Sequence, residues 1–364
     1  MARTTPRTRL AAGALTVLAL AGCSAIGADD GPDGATGDAT GASGGTVTLV
    51  THDSFALSDG ILAQFEEETG LTVKQVAPGD GGALVNQLVL TKENPLGDLA
   101  YGIDTTFASR AIDEGVLLPY TSQAPAAVDA AQHAVPGDDE GLLTAVDFGD
   151  VCLNVDHAWF AERGVPEPVT LDDLTKPEYK DLLVVTNPAT SSPGLSFLVA
   201  TAAQYGEPRW KEYWGELVAN GVKVAEGWSD AYYTDFSGAD GKGPRPIVLS
   251  YASSPPSTVP EGADEPTTGA LLETCMRQVE YAGVLAGAEN VEGAQRLLDF
   301  LLSDAVQADI PGSMYMYPVS SAVDLPEEWE KWAPLATDPA PIHPKDIEAN
   351  RETWIAGWTD VVIG

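Results

Sequence analysis

Apolar residues recur along this chain in two rhythms. Short runs of aliphatic and β-branched residues at 46–51, 71–76 and 99–103 read as buried strands. Between them, helical spacing predicts one helix over 60–68 that stops at Gly70. A second opens after Asp80-Gly81-Gly82 and carries Leu84, Leu88 and Leu90. The second half repeats the rhythm, with strands at 181–185, 221–225 and 247–251. It adds helices from Leu195, over 291–302 and over 347–361. No short fixed period runs through the chain. Alternating strands and helices predict an α/β fold with a largely parallel sheet.

Ligands of such sheets sit beyond the carboxyl ends of the strands. His52, Asp53, Asp80 and Asp104 all fall at such ends. Trp228, Tyr232, Tyr251, Tyr315 and Tyr317 add aromatic faces. Carboxylates with aromatic faces suit a flat organic cation, held by stacking, cation–π attraction and a salt bridge. Each residue also has a plainer reading: Asp80 as a helix cap, Asp104 as a turn residue, the tyrosines as core. In the loop Thr190-Ser191-Ser192-Pro193-Gly194, Ser192 and Pro193 suit a cap and first turn, whose N–H groups and hydroxyls could hold a hydroxyl or phosphate. Tyr232-Tyr233 is the kind of pair that ligates ferric iron, although its place just after Trp228 at a helix start favours packing as the explanation. The four His stand at 52, 133, 157 and 343 without metal-ligand spacing, and no P-loop, GxGxxG or GxSxG stands in strand–helix context.

The N-terminus changes the picture of where the protein works. Arg3, Arg7 and Arg9 precede an apolar run over 10–20, too short to span a bilayer but suited to a signal peptide. Leu20-Ala21-Gly22-Cys23 resembles the lipobox of bacterial lipoproteins. The expectation is an exported protein cut after residue 22 and lipidated at Cys23. Residues 24–45, poor in large apolar side chains, would form a flexible tether to the outer face of the cell membrane. The formal net charge of −35 argues against a nucleic-acid partner and permits a cationic ligand, or simply solubility in a saline habitat. Cys152 and Cys275 remain. An oxidising compartment makes a disulfide the default, with two free thiols as the competing reading.

The motifs resemble one family, the thiamine-binding periplasmic proteins of ABC importers, from about residue 46 onward. The matching pieces are Asp53-Ser54-Phe55, Asp80-Gly81 before Leu84-x-Asn86-x-Leu88, Gly102-Ile103-Asp104, Pro188 with Thr190 to Leu195, Gly227-Trp228-Ser229-x-Ala231-Tyr232, Leu249-Ser250-Tyr251-x-x-Ser254-Pro255 and Tyr317-Pro318-Val319.

This resemblance implies a two-lobed type II periplasmic-binding-protein fold, each lobe a mostly parallel sheet flanked by helices. Lobe 1 would hold 46–147 and 272–312, lobe 2 would hold 150–268 and 316–364, with crossings near Phe148, Gly269 and Ser313. It implies a monomeric, non-enzymatic receptor without cofactor that carries thiamine, or a thiamine phosphate, to a permease. The expected ligand set is His52, Asp53, Asp80, Asp104, Thr190, Ser191, Ser192, Trp228, Ser229, Tyr232, Tyr251, Ser254 and Tyr315. Asp80 would face the ligand's amino or cationic groups, Trp228 and Tyr251 its rings or phosphate tail, and Ser191 its hydroxyl or phosphate end. The chain departs from the family at His52, Asp59, Ser257 and Tyr315, which reduces the aromatic box. Alternatives are a receptor for a polyamine or ferric iron, a thiaminase-like enzyme with a Cys nucleophile, and a surface interaction domain.

Overall fold

The structure, a computed structural model, describes residues 45–238, 242–340 and 344–364. The expected signal peptide, Cys23 and the tether through residue 44 lie outside these residues, as does His343.

Strands β1 (Thr46–Thr51), β2 (Thr72–Val76) and β3 (Leu99–Asp104) are parallel, with β1 in the middle. Val47, Leu49 and Val50 have no exposed surface. The run is continuously hydrophobic because a parallel strand is covered on both faces. The helix Ile61–Thr69 connects β1 to β2 and ends at Gly70, whose φ of 72° lets its N–H reach the Glu66 carbonyl. The helix Gly81–Leu90 connects β2 to β3.

The remaining strands are β4 (Leu117–Leu118), β5 (Thr144–Asp156), β6 (Leu183–Thr186), β7 (Lys223–Ala225), β8 (Ile247–Tyr251), β9 (Thr268–Leu285) and β10 (Tyr317–Pro318). Across the sheet the order is β2-β1-β3-β9-β5-β8-β6-β7, with β4 on β9 and β10 on β5. β6 pairs in parallel with β7 and β8. The mostly parallel expectation therefore holds for the outer strands and fails at the centre, where β3–β9, β9–β5 and β5–β8 are all antiparallel. β5 and β9 are long enough to serve both halves of the molecule, and they run in opposite directions. Phe148 and Gly269 lie inside these two strands, and Ser313 ends the helix Asp304–Ser313.

The β5–β9 ladder is interrupted in its middle. Val151 faces Met276 and Leu153 faces Leu271, which leaves residues 272–275 without partners on β5. Thr274 closes the gap: its hydroxyl accepts from the Leu153 N–H (3.0 Å) and donates to the Leu271 carbonyl (2.6 Å). At the same point Cys152 and Cys275, both buried, are joined by a disulfide. Nearby, buried Asp150 pairs with Arg277 and accepts the Ala336 N–H (2.8 Å).

The helix Ser192–Tyr205 lies deepest, with every residue from Ser192 to Ala202 buried. It is covered by the helices Arg209–Ala219 and Pro344–Val362, where Trp214 meets Trp358 edge to face and donates to the Thr201 hydroxyl (2.9 Å). Among the described residues no helix is long and apolar enough to cross a membrane.

The disulfide closes a separation of 123 residues. Replacing both cysteines in a Cys152→Ala/Cys275→Ala protein should lower unfolding free energy by about 2–4 kcal/mol. Urea denaturation of the oxidised parent and the double variant measures the difference.

Candidate functional site

Loops at the carboxyl ends of the strands enclose a cavity of about 640 Å³. From the first half come residues 52–54 after β1 and Asp80-Gly81 after β2. From the second come Ser192-Pro193 after β6, Trp228, Ser229, Tyr232 and Tyr233 after β7, and Tyr251, Ser254 and Ser257 at and beyond the end of β8. Met314, Tyr315 and Met316 close one side, and Glu280 reaches the cavity from β9. Of the residues expected from the sequence, His52, Asp53, Asp80, Ser192, Trp228, Ser229, Tyr232, Tyr251, Ser254 and Tyr315 line it.

Asp104, Thr190 and Ser191 do not. Asp104 has no exposed surface and accepts from the Thr106 N–H (2.5 Å), the Thr106 hydroxyl (2.6 Å) and the Ser192 hydroxyl. It holds Ser192 from behind. Burial pushes its carboxyl up to about 6, against the pull of those hydrogen bonds. Ser191, not Ser192, caps the helix Ser192–Tyr205: its hydroxyl accepts from the Gly194 N–H (3.4 Å) and donates to Thr186 (2.8 Å). Its hydroxyl is fully buried and bonded within the protein, so it stands behind the cavity wall rather than in it. Thr190 donates to the Glu226 carbonyl (2.7 Å).

Asp80 combines two readings. It caps the helix Gly81–Leu90 by accepting from the Gly81 N–H (2.6 Å). The same carboxylate accepts the Ser192 N–H (3.3 Å) and the Trp228 N–H (2.8 Å), so it joins the β2, β6 and β7 loops at one point. Three of its roughly four acceptor directions are occupied by backbone, which leaves little for a ligand. The approach is tight enough to need glycine at the start of the helix. A Cβ on Gly82 would lie 2.7 Å from the Thr190 carbonyl carbon, and Ala83 already donates to that carbonyl's oxygen (2.8 Å).

The aromatic wall is ordered by stacking. Trp228 lies on Tyr232 with centroids 4.8 Å apart and planes 18° apart, and meets Tyr251 edge on at 6.5 Å. Its indole N–H donates to Ser250 (2.9 Å), which bonds Ser254 (2.8 Å). Tyr315 stacks on Trp329 and holds a left-handed backbone at φ 55°, unusual for a bulky residue; the Ser253 hydroxyl binds its carbonyl (2.5 Å).

The sequence reading missed Glu280. It is 5% exposed and lies 3.5 Å from His52 Nε2. The Tyr101 hydroxyl sits between Glu280 (3.1 Å) and Asp147, with a bond to each. Gln278 links this cluster outward: it donates to the Tyr251 hydroxyl (3.1 Å) and accepts from Ser196 (3.1 Å). Burial and the neighbouring Glu280 push the Asp147 carboxyl well up. Burial also acts against the Glu280 charge, but His52, Tyr101 and Asp147 together hold it below the usual carboxylate range. Burial disfavours charge on His52, yet Glu280, Asp80 and Asp53 raise it overall. The available signal was an acid inside the apolar run from Val279 to Leu285. Among the described residues no Lys or Arg lines the cavity, and no cluster of His, Cys, Asp and Glu could hold a metal.

Comparison with known proteins is consistent with this geometry. Residues 94–337 match the model of a family described as bacterial extracellular solute-binding protein. The thiamine-binding periplasmic protein of Escherichia coli K12 is 30% identical over 322 residues, covering 87% of this chain and 93% of that protein. That of Brucella suis biovar 1 is 29% identical, covering 86% and 91%. A solved periplasmic thiamin binding protein superposes with a TM-score of 0.75 at 29% identity, over 87% of this chain and 96% of that one.

Asp104 also makes stability depend on pH. Its carboxyl is raised from 3.8 to about 6, so the folded state favours the neutral form. The stabilisation is complete below the unfolded value and is lost as pH rises through about 6, for a total of roughly 3 kcal/mol. His52, also raised, acts in the same direction. Unfolding free energy should therefore fall from about pH 4 to about pH 7, and Asp104→Asn should flatten that slope in urea titrations at several pH values.

Proposed function

The chain belongs to the bacterial extracellular solute-binding proteins, and from that membership we propose that it captures thiamine outside the cytoplasm and delivers it to an ABC importer. The observation that carries this reading is the make-up of the cavity. Trp228, Tyr232, Tyr251 and Tyr315 offer aromatic faces, Asp53 and Glu280 offer carboxylates, and among the described residues no Lys or Arg lines the cavity. Thiamine is a flat aminopyrimidine joined to a cationic thiazolium. Stacking on Trp228 would hold a ring, ring faces would attract the charge, and a carboxylate would complete the recognition. The relatives named above carry thiamine in their names, which supports the same ligand here.

Residues of both halves line the cavity, so a bound ligand would touch both and favour the closed arrangement by its differential contacts. Asp80 would assist without spending itself on the ligand, because it bonds the backbone of both halves. No covalent step is needed. A thiaminase-like reaction would need a free thiol, and Cys152 and Cys275 are bonded to each other. Iron binding would need tyrosine hydroxyls turned to one point, whereas Tyr232 stacks on Trp228 and its hydroxyl meets Ser257 (3.3 Å).

We extend the proposal to the N-terminus: Cys23 is lipidated after removal of residues 1–22, and the receptor works as a monomer on the outer face of the cell membrane. Leu20-Ala21-Gly22-Cys23 behind a short apolar run supports this. The anchor would keep the receptor concentrated near its permease.

Isothermal titration should show saturable thiamine binding. Trp228→Ala should weaken it at least tenfold, about 1.4 kcal/mol; wild-type affinity in that variant would remove the stacking platform from the account. Cys23→Ser should release the protein from the membrane fraction, and continued retention there would argue against the anchor.

A further inference from the structure

His52 and Glu280 form a pair that the thiamine reading does not by itself require. They are 7% and 5% exposed and line the same cavity. Their nearest charged atoms, His52 Nε2 and Glu280 Oε2, are 3.5 Å apart. Nε2 is buried and makes no hydrogen bond, so the imidazole faces the carboxylate as a charge and not as a directed donor. On its other side Nδ1 lies 2.9 Å from the Ser54 hydroxyl, which can donate or accept, so either neutral tautomer is satisfied there.

The groups around the pair are acids and phenols. Glu280 is faced by Tyr101 of β3, which also bonds Asp147 of β5, and by Gln278 of its own strand. Tyr251 of β8 and Asp104 lie within electrostatic reach of it. His52 feels Asp80 at the start of the helix Gly81–Leu90 and Asp53 beside it. Asp147 is fully buried without a cation, and burial with Glu280 beside it favours its neutral form. Glu280 is then the buried acid of the pair that keeps its charge, and His52 is the cation next to it.

We propose that Glu280 takes the positive charge of the bound ligand and that His52 supplies the positive charge it replaces, so that one proton leaves the protein as one organic cation enters. The inference deepens the function proposed above and rests on it. A thiazolium and an imidazolium against a single buried carboxylate would repel each other. Loss of the His52 proton to solvent removes that repulsion, and the net charge of the pocket stays unchanged. No bond to the ligand is made or broken. The cost of holding Glu280 ionised at low dielectric is met in both states, by the imidazolium before binding and by the ligand afterwards.

The test is titration of thiamine into the mature protein near pH 6 in two buffers of different ionisation enthalpy. Observed enthalpies that differ by close to one proton's worth of buffer ionisation are the expected result. Affinity should fall on acidification from about pH 8 to about pH 5.5, with a slope approaching tenfold per pH unit. His52→Gln should abolish both the proton release and the slope. Glu280→Gln should bind thiamine at least tenfold more weakly near pH 8. Thiamine binding by the wild-type protein with buffer-independent enthalpy and a flat pH profile would overturn this inference and leave the proposed function standing. Unchanged affinity in Glu280→Gln would do the same. Because the proton count is read on the wild-type protein, it decides the matter even if a variant does not fold. Absence of thiamine binding at every pH would overturn the proposed function itself.

Discussion

The pairing of β5 with β9 is the constraint on which the other features of this molecule depend. Both strands extend past the point where the halves meet, and their ladder is the route by which the sheet continues from β3 to β8. Where the register jumps, local ladder bonds are missing, and Thr274, the disulfide and the Asp150–Arg277 pair replace them. Those replacements keep β5 and β9 joined where their ladder is broken. β9 also carries Glu280 and Gln278, so the pair that joins the halves also brings buried polar groups to the cavity.

Charge in this protein is sorted by depth. The chain carries a formal −35, and of the eight carboxylates buried among the described residues, four in or behind the cavity have distinct environments. Asp104 and Asp147 are enclosed without cations, and burial drives them toward the neutral acid. Asp80 accepts from three backbone N–H groups, which gives it a structural role. Glu280 keeps its charge because His52 and Tyr101 face it. Residue type alone does not separate these roles; what separates them is the partner each side chain meets and whether water reaches it.

Much of the site was legible because strand ends are local features. Runs of β-branched residues followed by His52, Asp53 and Asp80 mark where a parallel sheet exposes its carboxyl edge, and the structure puts these residues around one cavity. The Trp228 segment and the close of β8 were legible for the same reason. The cap was misplaced by one residue, from Ser191 to Ser192, because two adjacent serines before proline satisfy the same local rule. Only the backbone path decides which hydroxyl faces the helix N–H groups.

The sequence by itself determined the alternation of strands and helices, the acidic and aromatic character of the strand-end loops, and the availability of two cysteines for one bridge. Local periodicity and side-chain chemistry carry those properties. Tertiary structure alone decided that β5 and β9 are long antiparallel partners, that Asp104 and Ser191 stand behind the wall, and that Glu280 meets His52. Glu280 and His52 are 228 positions apart along the chain, and no local pattern records a contact made by folding across such a distance. Whether an acid binds ligand, caps a helix or stays protonated is set by that assembled environment, because burial and neighbouring charge exist only once the chain is folded.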